Sequence, residues 1–222
     1  MIGAEGEALL LSVGIALGAT ALAAPFALVV GLWLQRLRGT TRALVEAIAM
    51  APLVLPPVVT GYALLWLLGP AGPAGSLLAL LGMRIPFTTT AAVIAGATVG
   101  FPLFLRGVRM GLEGVDTGLI EAARTLGASP WRALRTIVLP LALPGITSGA
   151  VLAFARALGE FGATMVFAGN IEGTTRTLPL AIWSSLQTPG GESTAARLAL
   201  ITLVASLTAL VASELLVRRS RR

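Results

Sequence analysis

Apolar residues fall along this chain in long unbroken blocks. They do not follow the 3.6-residue rhythm of an amphipathic helix or the alternation of a half-buried strand. The blocks cover roughly 8–34, 44–68, 87–105, 146–168 and 195–217. A helix needs about 20 mostly apolar residues to cross a bilayer. The pattern therefore predicts an all-α integral membrane protein with about five transmembrane helices, forming a single domain over 1–222.

Polar residues between the blocks refine this picture. Ala21–Leu22–Ala23 at the centre of the first block looks like a leader cleavage site. A leader begins with positive charge, however, and Glu5 and Glu7 reverse that sign, so an uncleaved span is predicted. The second block contains Pro52, Pro56 and Pro57. Each proline removes a backbone donor and crowds the preceding turn, so this span should bend or break. A packing kink and a pathway-lining break both fit. A Gly/Pro-rich loop follows at 69–75, then a short apolar turn.

The arginines orient the spans. Arg36, Arg38, Arg42, Arg106, Arg109, Arg124, Arg132, Arg135, Arg218, Arg219, Arg221 and Arg222 fall on one side. Arg84, Arg176 and Arg197 fall on the other. The positive-inside bias predicts an outer N-terminus and a cytoplasmic C-terminus.

Composition supports the membrane reading and removes several chemistries. The chain is 56% hydrophobic and only 12% charged, with a mean hydropathy of +0.89; soluble domains are about 25% charged. It has no Cys and no His, which excludes thiol nucleophiles, HExxH zinc sites and Ser-His-Asp triads. All 16 basic residues are Arg, so there is no Walker A lysine. No catalytic or metal-ligating constellation emerges. The net charge of +6 is explained by arginines at span ends, and no nucleic-acid partner is expected.

One stretch departs from the apolar pattern: EAARTLGASPWRALRTIVLP, 121–140. Thr117–Leu126 is predicted as a short helix ended by Gly127. Ser129 caps a second helix opened by Pro130, and Pro140 and Pro144 are expected to stop it. Leu119, Ala122, Ala123 and Leu126 share one face of the first helix; Trp131, Leu134 and Val138 share one face of the second. The product is a cytoplasmic helical elbow over 117–139. A hairpin lying on anionic headgroups and a docking element for a soluble partner fit this chemistry equally.

The spacing E-A-A, three residues, G, nine residues, I-x-L-P is matched by Glu121, Ala122, Ala123, Gly127, Ile137, Leu139 and Pro140. It resembles the EAA motif of importer-type ABC permeases. LVLPPVVTGYALL (53–65), LEGVD (112–116), ARALGEFGATMVFAGNIEGTTRTLPLAIW (155–183) and QTPGGES (187–193) are similar to the molybdate permease family. Sulfate permeases share the ARALGE-type stretch but resemble the chain less closely.

The resemblance implies a type I ABC importer permease fold in a bacterial inner membrane, with the elbow as its coupling helix. Glu121, Ala122, Ala123, Leu126, Gly127 and Trp131 would then meet a cytoplasmic ATPase subunit. The chain itself would be a homodimeric transport subunit without cofactor or enzymatic activity. ATP and Mg would sit on the ATPase, and a periplasmic or extracellular molybdate-binding protein would deliver the ion. Tungstate and sulfate remain alternative cargoes, and an ATP-independent anion carrier is the competing mechanism.

A dianion cannot cross bare hydrocarbon, where desolvation costs roughly tens of kcal/mol. It needs a polar path, and two copies of about five helices enclose one more readily than a single copy. Arg156 and Glu160, four residues apart in the fourth block, lie on one helical face. A neutralised structural pair and a pathway role both fit them. Phe161 as a steric plug and Thr164 as a polar lining group complete the gate candidates. Arg176, in the outer segment 169–194, either meets an acidic lobe of the binding protein or lies in a solvated loop.

Overall fold

The computed structural model describes residues 4–220, with the side chains of 4, 209 and 212–220 excepted. Its helices are α1 (Ala4–Leu34), α2 (Gly39–Val54), α3 (Pro57–Leu68), α4 (Pro73–Leu80), α5 (Thr89–Glu113), α6 (Thr117–Thr125), α7 (Pro130–Ala133), α8 (Leu139–Leu158), α9 (Gly162–Phe167), α10 (Leu178–Leu186) and α11 (Glu192–Ser220). No strand occurs among the described residues.

Three helices among the described residues are long and apolar enough to cross a membrane: Glu5–Leu34, Thr89–Glu113 and Pro130–Leu158. The pair α2 and α3 makes a fourth if it is one broken span. The fifth expected block, 195–217, falls in α11, whose side chains are described only in part. Arg221, Arg222 and the side chains of Arg218 and Arg219, all used in the charge asymmetry, lie outside the described residues.

Helix α5 is the centre of the packing, with α1 on one side and α8 on another. Its Ala91, Ala92, Ala95, Val99, Leu105 and Val108 are wholly buried. The α5–α8 contact is backbone against backbone. A Cβ added at Gly145 of α8 would stand 2.5 Å from Gly111 Cα of α5. Between apolar helices in lipid, van der Waals contact at such close approach supplies much of the attraction. Ion pairs tie α2 to the far end of α5: Arg42 to Glu113 at 3.0 Å, and Arg109 to Glu46.

One sequence expectation is met and located, and three others change. The proline-rich span turns through 111° between α2 and α3. Pro52 stays inside α2; the break is at Pro56 and Pro57, with Pro57 opening α3 where its missing N–H costs nothing. The span expected over 87–105 continues to Glu113. Arg106 is exposed and Arg109 is ion-paired, so neither charge ends the helix.

Pro140 and Pro144 do not stop the elbow's second helix, which runs unbroken from Pro130 to Leu158. The turn Leu134–Val138 widens to π geometry, and the Leu139 N–H reaches the Leu134 carbonyl five residues back. That widening makes room for the Pro140 ring, which in a regular helix would strike the carbonyl four residues earlier. Finally, the span expected over 146–168 breaks. Helix α8 ends at Leu158, and α9 restarts at Gly162 and packs on α3.

Candidate functional site

The elbow is built by local backbone chemistry. The Asp116 carboxylate accepts from the Gly118 N–H at 2.8 Å and caps α6. At the other end Gly127 takes φ +87°, a left-handed conformation that penalises any Cβ. Its N–H donates to the Arg124 carbonyl and the Ala128 N–H to the Ala123 carbonyl, each at 3.0 Å. These two bonds satisfy carbonyls that the helix end would otherwise leave unpaired. Ser129 Oγ accepts from the Arg132 N–H at 3.3 Å and starts α7.

Helix α6 turns only part of its apolar surface inward. Ile120 packs inward on the core formed with Leu112, Val115 and Val138. Leu119, Ala122 and Leu126 face out, with Leu126 89% exposed. Trp131 beside them is 67% exposed. The expected Trp131, Leu134 and Val138 face is divided: Trp131 points out and Val138 is buried. Glu121 is exposed, Ala123 half-buried, and nothing lies within 4 Å of a Cβ built at Gly127. All six residues expected at the coupling surface therefore lie in one elbow, most of them open to solvent. The outward turn of Leu119 and the inward turn of Ile120 were missed, because alternate apolar positions on a nine-residue helix do not identify the buried side.

The second candidate centre is the break between α8 and α9. Glu160 is 2% exposed. One of its carboxylate oxygens accepts from Arg156 Nη1 at 2.6 Å, and the other accepts from the Ala163 N–H at 2.8 Å. The carboxylate thus pairs with a cation in the last turn of α8 and also satisfies a free donor in the first turn of α9. Both contacts place opposite charge at a helix end. Thr164 is 2% exposed and packed within α9's buried face, so within one chain it borders no open path. Phe161 meets Trp183 of α10, ring centroids 6.4 Å apart. Helix α9 lies so close to α3 that a Cβ at Gly61 would meet the Ala163 carbonyl at 2.7 Å. Neither that contact nor the Trp183 partner is legible in the spacing of the sequence.

Beside the N-terminal end of α1, Arg176 is held by neighbours in its own segment. Its Nε donates to Asn170 Oδ1 at 3.0 Å, and its guanidinium pairs with Glu172 at 3.1 Å. It lines a cavity of about 510 Å³ with Glu5, Glu7 and Ser184. The segment is pinned to α1 where Ser12 Oγ accepts from the Leu178 N–H at 2.7 Å. Among the described residues no cluster of three metal-ligating side chains occurs.

Comparison with known proteins gives consistent results. The chain is 48% identical over 218 residues to the molybdenum transport system permease protein ModB of Escherichia coli strain K12, covering 98% of this chain and 95% of that protein. It is 45% identical to the ModB of Haemophilus influenzae, covering 98% and 96%. Among solved structures, an inward-facing MetNI methionine ABC transporter matches with a TM-score of 0.69 at 22% identity, covering 97% of each chain. A bacterial alginate ABC transporter matches with a TM-score of 0.72 at 15% identity, covering 96% of this chain and 78% of that one. These distant likenesses establish the fold, that of importer permeases. A family model matches residues 23–222. The chain belongs to the family of binding-protein-dependent transport system inner membrane components.

Proposed function

We propose that this chain is the membrane-spanning permease subunit of an ATP-driven molybdate importer. The observation that carries the reading is the elbow: an EAA-type stretch whose apolar residues Leu119, Leu126 and Trp131 face away from their own protein. Such a surface matches a partner that is absent from the single chain. The ModB relatives supply the cargo, and their similarity runs through nearly the whole chain.

In this reading the elbow faces the cytoplasm, with the N-terminus outside and the C-terminus inside. Glu121, Ala122, Ala123, Leu126, Gly127 and Trp131 meet the ATPase subunit, which holds ATP and Mg; the permease carries no cofactor of its own. Two copies form a homodimer with the anion path between them. The exposed residues Val54, Val58, Tyr62 and Trp66 on α2 and α3 supply apolar surface for that contact. A periplasmic or extracellular binding protein delivers molybdate to the outer face.

The π turn gives the coupling a physical route. Because α7 continues into α8, a displacement of Trp131 is carried along one helix to Arg156 and the α8–α9 break. ATPase closure drives the change only by contacting the elbow differently in its two states. Arg156 and Glu160 hold the break, while Phe161 and Thr164 move with it as the gate.

The test is uptake of labelled molybdate by cells lacking their own molybdate permease. They would express this chain with its ATPase and binding protein, with and without excess sulfate. ATP-dependent uptake that sulfate leaves intact is expected. Uptake abolished by sulfate moves the cargo to sulfate, competition by tungstate extends it, and uptake without ATP overturns the importer mechanism.

A further inference from the structure

Helices α1, α2 and α5 leave a cleft between them, filled by none of their own side chains. Its volume is about 680 Å³, and Leu22, Phe26, Trp33, Ile48, Pro52 and Phe101 line it. Its walls are apolar apart from Thr98. From Leu22 to Trp33 the cleft follows α1 for eleven residue steps, about 16 Å at the helical rise. That is close to half the roughly 30 Å hydrocarbon thickness of a bilayer, the depth of one leaflet.

A second cavity, of about 690 Å³, lies where α1 ends and α2 begins, between the end of α5 and the elbow, whose Ile120, Trp131, Leu134 and Val138 also line it. Its lining differs in kind. Arg36, Arg42 and Arg124 border it with Gln35 and Thr117, against the single carboxylate of Glu113. Arg42 is paired with that carboxylate at 3.0 Å. Arg36 and Arg124 have no ion-pair partner among the described residues. Trp33, which lines the first cavity, is one turn from Arg36, which lines the second, and tryptophan settles at the level of a membrane surface.

An apolar cleft one leaflet deep, followed one turn along the chain by a cavity with excess positive charge, has the chemistry of one kind of molecule. We infer that this groove binds an anionic phospholipid, with an acyl chain between α1 and α2 and the phosphate between Arg36 and Arg124. Basic pockets between transmembrane helices at the cytoplasmic side recognise such headgroups. The inference rests on the membrane orientation proposed above. It adds a consequence: Arg124 belongs to α6, so the headgroup would lie directly behind the coupling elbow and brace it.

The test uses the permease purified with its ATPase, stripped of lipid, and returned to nanodiscs of phosphatidylcholine with or without phosphatidylglycerol. Lipid surviving a second detergent extraction is then counted by mass spectrometry. Wild type is expected to retain phosphatidylglycerol over phosphatidylcholine. The double variant Arg36→Gln/Arg124→Gln should lose about thirtyfold in that preference, the worth of two arginines near an anionic surface. Ile48→Trp, which fills the apolar cleft, should release the lipid while leaving both arginines in place. Leu203→Trp, on exposed α11, should change nothing.

Equal retention of both lipids by wild type overturns the inference. So does loss in the arginine variant with none in Ile48→Trp, which would mean a headgroup bound at the surface alone. Displacement by millimolar inorganic phosphate would make the basic cavity an oxyanion site instead. The chain has no cysteine, so Ile48→Cys offers a clean probe of a second occupant. Disulfide linkage of two copies through it would assign the cleft to a protein interface. All these readouts measure binding, so they stand or fall separately from molybdate uptake.

Discussion

The elbow and the α8–α9 break are both interruptions of helix, and their chemistry is opposite. At the elbow, backbone bonds close the turn: Gly127 and Ala128 donate to carbonyls of α6, and the side chains around them are left open. At the break, a side chain closes the turn: Glu160, 2% exposed, joins Arg156 on one helix to the Ala163 amide on the next. The first arrangement keeps its shape while its surface is free to be touched. The second gives up its surface to hold two helix ends together. In the proposed coupling, a partner's force enters at a self-supporting turn and is resisted at a buried charge. The single helix Pro130–Leu158 lies between them.

The sharpest way to break this contrast is to remove Arg156. Its guanidinium is the cation facing a nearly inaccessible carboxylate. Arg156→Leu leaves that charge unpaired and should destabilise the fold by about 3–5 kcal/mol. Arg156→Leu with Glu160→Leu should regain most of the loss, because no buried charge remains. A residue of about 1 kcal/mol should persist for the lost bond to Ala163. Thermal unfolding of the purified permease in detergent measures both. If the single and double variants unfold together, the pair does not hold the break.

Much of the fold was legible because lipid imposes a simple rule: a spanning helix must be long and apolar, and the blocks at 8–34 and 87–105 meet it. The elbow was legible for another reason. Gly127, Ser129 and Pro130 act through their own backbone neighbours, so sequence alone identifies their turns. Where the reading failed, the cause was a contact distant in sequence or a compensation inside the helix. Pro140 looks like a stop until a π turn accommodates it. The 146–168 block looks continuous because Gly159, Phe161 and Gly162 do not disturb its hydropathy, and the break becomes visible only when α9 is seen against α3. Thr164 looks like a lining group because hydropathy cannot say which side of a six-residue helix is buried.

The elbow's side of the comparison is sharpened at Gly127. Any side chain there bears the strain of φ +87°, about 1–2 kcal/mol, but meets no atom of its own chain. Gly127→Asp should therefore insert and fold, while molybdate uptake falls to background and the ATPase continues to turn over. Gly127→Ala carries the same strain without charge or bulk and should keep most of the uptake. Uptake with the two variants in parallel separates strain from contact. Normal uptake by Gly127→Asp removes the docking role from this turn.

The smallest expected effect concerns whether the elbow opens independently of the rest. Ser129 Oγ accepts from the Arg132 N–H at 3.3 Å, a long bond, and Pro130 already sets the first helical turn. Ser129→Ala should therefore cost only about 0.5–1 kcal/mol, the low end for a helix cap. If the elbow is a local unit, that cost appears as faster hydrogen exchange at Arg132 and the following amides, with the global unfolding midpoint unchanged. Because α7 runs without a break into α8, the alternative outcome is informative too. A midpoint lowered along with the local exchange would mean that the elbow and the Glu160 break melt as one cooperative helix, joined through the π turn.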